Sequence, residues 1–273
     1  MMQLTQKFIQ IGKQHIHLRM MGHGPFMILL HPSPRNSVMM LPMMHLLADS
    51  FTVIAPDTPG YGFSDANEFV PEMIGDYLPF IDAIVQEICK GRARLYGTAT
   101  GAQVAIAYAL KHPEKVLHLY ADNAAHFEEQ QRNAIWANYF IDFSPQADGS
   151  HLLNLWEHIK DSCLFFPWYD KREENRIAHQ LPPDSVLQTI INDYLLAGKN
   201  YAAAYKAAFK HEDVKNVQAL QVHTTFFKWL GSPILKYINQ LLAFSLPQNI
   251  KVIETPASIN ERYAVMKTVM KLF

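Results

Sequence analysis

Short apolar runs alternate with stretches of helical spacing along the first half of the chain. Residues 26–30 (FMILL), 51–55 (FTVIA), Leu95-Tyr96 and 117–121 (LHLYA) are each closed by a turn or a Gly/Pro cluster, so they read as buried strands. Between them, 68–90 and 102–111 carry helical periodicity, the former placing Ile74, Tyr77, Leu78, Ile81, Ile84, Val85 and Ile88 on one stripe. Such alternation predicts an α/β fold, a mostly parallel central sheet with helices on both faces. Residues 8–11 and 15–20 predict an antiparallel hairpin at the sheet edge. From 124 to 215 the alternation stops, and a largely helical stretch follows, rich in bulky aromatics such as Trp136, Tyr139, Phe140, Phe166 and Trp168. The strand pattern resumes at 224–229 and 250–254, and a helix from Asn260 closes the chain. The expected organisation is a core of residues 1–123 and 216–273, with a helical cap of 124–215 inserted as a lid.

Composition narrows the function classes. Hydrophobic residues are 49% of the 273 and charged residues 18%, the make-up of an ordered globular chain. Lys and Arg total 24 against 25 Asp and Glu, so there is no basic footprint for nucleic acid or for an anionic membrane, and neither partner is expected. The longest wholly apolar runs, about seven residues as at 104–110, are too short to span a bilayer. The first residues lack a charged-then-apolar leader pattern, and two lone cysteines, Cys89 and Cys163, form no disulfide framework; a reducing, cytoplasmic compartment is the expectation. No cofactor is expected, because Gly60-x-Gly62 lacks the third glycine and helix context of a dinucleotide site and no phosphate-binding loop occurs. His15 and His17 share a strand face, but without an acidic or cysteine partner nearby in the chain they predict no metal site.

Three motifs fall in order at strand ends: His31-Pro32-Ser33-Pro34, then Asp57-Thr58-Pro59-Gly60-Tyr61-Gly62-Phe63-Ser64-Asp65, then Gly97-Thr98-Ala99-Thr100-Gly101 opening a helix. Their order, spacing and strand contexts resemble the α/β-hydrolase superfamily with a helical cap, over nearly the whole chain. The third motif is the turn on which that family presents its nucleophile. A strand turning sharply into a helix puts its central residue at strained positive φ, and small residues two before and two after let the backbones pass. The resemblance implies that the N–H groups of Thr100 and Ser33 are oxyanion donors, and that His31 orients the loop that follows it. Pro32 stands where the family usually has glycine.

The apex residue is Ala99, where the family pattern has serine, and a methyl group cannot attack a carbonyl. The family acid would follow strand 224–229, yet no Asp or Glu occurs from 214 through 253. The base would follow the last strand, yet no histidine lies after His223. Asp122 and His126 are the most plausible recruits for acid and base; a turn or cap residue and a half-exposed helix-start histidine are the plainer readings. Thr98 and Thr100 carry hydroxyls expected to point away from the apex, and Glu254 is expected at the surface. The segment 165–172 (FFPWYDKR) is the candidate pocket wall, because Pro167 breaks a helix among four aromatics.

Two functions follow. In the first, the chain keeps the pocket, lacks the Ser-His-acid machinery and binds a small apolar molecule under the lid. In the second, it is an active hydrolase of esterase, lactonase or carbon–carbon bond type whose nucleophilic serine is replaced by Ala99, with acid and base from non-standard positions. A homodimer contact through an exposed edge or lid helix is compatible with either.

Overall fold

The computed structural model describes residues 3–272. Its strands are β1 (Thr5–Ile11), β2 (Gln14–Met21), β3 (Phe26–Leu30), β4 (Thr52–Pro56), β5 (Ala93–Thr98), β6 (Val116–Asp122), β7 (Thr224–Trp229) and β8 (Ile250–Thr255). They form one sheet in the order β1-β2-β4-β3-β5-β6-β7-β8. The β1–β2 hairpin turns at Gly12, which takes φ +60°, and runs antiparallel to β4; the remaining pairs are parallel.

Alternate residues of the central strands go to opposite faces, both buried. Ile28 and Leu30 pack with α2 (Leu78–Glu87) and α3 (Thr100–Lys111), in a cluster that includes Ile81, Ile84, Ala105 and Tyr108. Met27 and Leu29 pack instead with α1 (Leu41–Leu47) and α10 (Ile259–Lys271), through Met44, Leu47, Met266 and Met270. Burial on both sides is why these strands read as unbroken apolar runs.

Helix 68–90 begins later than its periodicity suggests. Residues 66–73 are irregular, a 3-10 turn occupies Ile74–Tyr77, and α2 starts at Leu78. Pro71 supplies no N–H and disfavours the helical region for the residue before it, whereas Pro79 sits in the first turn of α2, where no N–H is needed. Between β6 and β7 lie α4 (Glu129–Asn138), α5 (Ser150–Leu164), α6 (Asp184–Ala197), α7 (Ala203–His211) and α8 (Val214–Gln218). Of these, α5 to α7 are cap-like and sit over the sheet's carboxyl edge. The stretch is less helical than expected, with 139–149 and most of 165–183 irregular. A last helix, α9 (Leu235–Leu242), joins β7 to β8. Among the described residues no helix is long and apolar enough to cross a membrane.

Candidate functional site

The strand order changes direction between β3 and β5, the place in an open α/β sheet where a crevice opens at the carboxyl ends. The elbow fills it. The geometry of the turn is that of a strand folded directly into a helix: Ala99 takes φ +49° and ψ −115°, and its N–H donates to Asp122 O at 3.0 Å. A Cβ on Gly97 would collide with the Gly101 carbonyl, and one on Gly101 with the Leu30 carbonyl, so both glycines are required by close backbone approach.

Above the elbow lies a cavity of about 370 Å³. Pro32, Ser33, Thr98, Ala99 and Thr100 form its floor, and Phe127, Tyr139, Phe166, Tyr205 and Phe209 supply aromatic walls. Among the described residues, the N–H groups of Ser33 and Thr100 meet no protein acceptor, and both residues line the cavity. Thr98 and Thr100 both border the cavity, and the Thr98 hydroxyl accepts from Asn123 Nδ2 at 3.1 Å. Of the segment 165–172, only Phe166 reaches this cavity; Trp168 donates its indole N–H to Tyr139 O instead.

His31 stands behind the floor, outside the cavity wall. Its Nε2 accepts the Thr58 N–H at 2.9 Å, so the proton sits on Nδ1 and is donated to Pro32 O at 3.0 Å. Burial pushes its pKa below the ordinary value, and the ring stays neutral while tying β3's loop to β4's. Asp57 anchors the same loops. Its carboxylate accepts from the N–H groups of Ser37 and Phe63 and from His17 Nδ1. Burial pushes it up, but those hydrogen bonds outweigh burial and hold it down to about 2. Tyr61 reaches the lid: its hydroxyl accepts the Ala204 N–H at 3.0 Å and lies 3.0 Å from Asn200 O.

The two expected recruits do not meet. Asp122 ends β6 fully buried, neither turn nor cap, with Oδ2 accepting from the Tyr96 hydroxyl at 2.7 Å and from the Arg262 guanidinium of α10. His126 donates its N–H to Tyr237 O and sets its ring edge-on to Phe244 at 5.1 Å; neither it nor Asp122 lines the cavity. Trp229, at the end of β7, lines the cavity with its indole N–H on Ala257 O and the Arg262 guanidinium 4.6 Å from its ring centroid. These groups occupy the sheet end from which the resemblance would draw an acid and a base. Glu254 is exposed and paired with Lys228 at 3.1 Å. His15 and His17 do have acidic partners, Asp65 at 3.1 Å and Asp57 at 2.9 Å, which lie far along the chain. Among the described residues no three His, Cys, Asp or Glu side chains converge as a metal site would require.

Three polar cavity residues escaped the sequence reading. Arg35 follows the HPSP motif and donates Nε to Asp193 of α6 at 2.5 Å, clamping lid to core. Asn123 follows β6 at φ +50° and accepts the Ser232 hydroxyl at 2.7 Å. Glu212, at the end of α7, places the sole carboxyl in the described cavity wall. Its only signal in the sequence was its place at the close of the lid.

A family model described as alpha/beta hydrolase fold matches residues 25–184. A 2-(acetamidomethylene)succinate hydrolase of Mesorhizobium japonicum is 33% identical over 130 residues, 47% of this chain and 46% of that protein. The matches to this and to a fluoroacetate dehalogenase of a Burkholderia species, 29% identical over 147 residues, each span about half of this chain and less than half of the relative. An epoxide hydrolase structure from Vigna radiata superposes with a TM-score of 0.71 over 99% of this chain and 98% of its own, at 16% identity, a likeness of fold.

Proposed function

The chain belongs to the α/β-hydrolase fold family, and we propose that it is a ligand-binding member, its cavity receiving a small, apolar, ring-bearing molecule without a serine nucleophile. The observation that carries this is the methyl of Ala99 at the apex of a fully formed elbow, on the floor of an aromatic-walled cavity. The ion pair of Asp122 with Arg262 supports it, because a carboxylate already committed to a guanidinium does not orient an imidazole. Burying about 200 Å² of apolar ligand surface gives roughly 5 kcal/mol, equivalent to a Kd of about 0.2 mM before the cost of immobilising the ligand. Hydrogen bonds from the free N–H groups of Ser33 and Thr100 would select a ligand with an acceptor oxygen.

Labelling by a fluorophosphonate probe, on the parent and on Ala99→Ser, tests the reading. No labelling of either folded protein is the expected result, since a serine without a base stays protonated and weakly nucleophilic. Labelling of Ala99→Ser at the new serine would overturn it. A base would then reach the apex, and the family's hydrolytic chemistry of esterase, lactonase or carbon–carbon bond type would be the better account.

A further inference from the structure

Glu212 is 8% exposed, and its carboxyl opens on the cavity. Gln103 Nε2 lies 3.5 Å from Oε1, and among the described residues no donor reaches Oε2. The Arg132 guanidinium of α4 is close, but its N–H groups go to the main-chain oxygens of Phe209 and Glu212, capping the end of α7. Gln103 is itself fixed: its side-chain oxygen accepts from His211 Nδ1 at 3.0 Å, which turns its amide nitrogen toward Glu212. A buried carboxyl with one weak donor and an unpartnered oxygen facing a cavity is not accounted for by packing.

Its location gives the carboxyl a use. Gln103 lies three residues beyond Thr100 on α3, on the same helical face and about 4.5 Å further along the axis. Glu212, next to Gln103 of α3, and Thr100, at the head of the same helix, therefore line one cavity together with Ser33. In a serine hydrolase, such N–H groups hold an oxyanion created by nucleophilic attack. Over a methyl group, they can hold an oxyanion only if its charge arises another way, and loss of a proton from the adjacent carbon is one that a carboxylate can drive.

We propose that Glu212 and the N–H groups of Ser33 and Thr100 form a proton-transfer site for an apolar, ring-bearing carbonyl compound. The carboxylate of Glu212 takes a proton from the carbon next to the carbonyl. The C–H electron pair becomes the carbon–carbon π bond of the enolate, and the carbonyl π pair moves onto oxygen, where the two N–H groups hold it. Return of the proton from Glu212 to carbon regenerates the ligand, so neither oxidant nor co-reactant is consumed. This rests on the cavity being a ligand site, as proposed above.

The charged surroundings suit the task. Burial is the dominant influence on Glu212 and outweighs Arg132 and the Gln103 bond, raising its pKa to about 8. That value lets the group exist in both forms near neutrality, as a general acid–base group must. The other titratable groups facing it are Tyr205 of α7, pushed well above its usual range by burial, and His211, pushed down to about 4 by burial and therefore neutral. Arg35, elsewhere in the wall, is paired with Asp193.

The test uses 2-tetralone, a bicyclic ketone, in heavy water. Binding is followed by ligand-observed NMR, and exchange of its α-protons for deuterium is followed in the same samples. Saturable exchange at least about 10²-fold above that of acetate at equal concentration is expected, rising through an inflection near 8. Glu212→Gln, near-isosteric with the protonated acid, should bind the ketone and exchange it at the background rate. Gln103→Met deletes the donor to the ionised carboxyl and should move the inflection upward, a shift that a merely structural role would not produce. Binding with background exchange in the parent, or exchange unaffected by Glu212→Gln, overturns the proton-transfer site and leaves the ligand site standing. Failure to bind overturns both.

Discussion

Replacing Arg262 by methionine removes the guanidinium from a carboxylate that has almost no access to water. Asp122 is 1% exposed, and after the change its remaining donor is the Tyr96 hydroxyl at 2.7 Å. Breaking a buried pair by deleting one partner costs about 3–5 kcal/mol, because the surviving charge is stranded. For a chain of this size each kcal/mol lowers Tm by about 2–4 °C, so Arg262→Met should melt about 6–20 °C below the parent at neutral pH. Replacing both partners, Asp122→Asn with Arg262→Met, leaves no buried charge and should recover most of the loss. Thermal denaturation followed by circular dichroism measures Arg262→Met, Asp122→Asn and the double variant. Arg262→Met within about 2 °C of the parent, or a double variant whose loss is the sum of the two single losses, would refute the reasoning that Arg262 compensates the buried charge of Asp122.

Glu212→Gln should flatten a pH dependence of stability. The parent's folded pKa of about 8 lies above the unfolded value, so stability is lost as pH rises between about 4.3 and 8, up to about 5 kcal/mol for this buried group; in denaturant titrations the parent should lose stability relative to the variant across that range, and the two should run parallel below and above it. Tyr61→Phe strands the Ala204 N–H and unties the DTPGYG loop from α7, with an expected loss of about 1–3 kcal/mol and faster limited proteolysis near 198–204, whereas unchanged proteolysis would mean that the lid is held elsewhere.

Much of the fold was legible because the central strands are buried on both faces and carry runs of apolar residues that no helix of this class would need. The elbow was legible because two glycines at fixed spacing answer to two backbone collisions. What escaped depended on partners distant in sequence. Asp122 looks like a turn residue until α10, 140 residues away, brings Arg262 to it. His15 and His17 look unpartnered until the β4 loop folds back with Asp65 and Asp57, 50 and 40 residues further on. Glu212 is one glutamate among many until α7 docks beside α3 and removes it from water. The irregular stretch before Ile74 was hidden for a different reason: apolar spacing continued, but Pro71 vetoed the backbone that would have used it.

The strain at Ala99 bears directly on what this site retains. A non-glycine residue in left-handed backbone loses roughly 1–2 kcal/mol, and a nucleophile's exposure is the usual return on it. Here the side chain is a methyl, yet the turn persists, because β5 must pass within contact of α3 and α3 within contact of β3. What the strained turn still delivers is the free N–H of Thr100 at the head of α3, in a residue that lines the cavity. Two substitutions separate strain from fit. Ala99→Gly relieves the positive φ but adds freedom to the unfolded chain, so the two effects nearly cancel and stability should change by less than about 1 kcal/mol. Gly101→Ala puts a Cβ against the rigid Leu30 carbonyl, with no side chain to move aside, and should cost at least about 1–3 kcal/mol. Measured by denaturant unfolding, a large loss in Ala99→Gly would mean that the methyl itself packs the floor. No loss in Gly101→Ala would mean that the close approach, and with it the presentation of the Thr100 N–H, is not what the turn enforces.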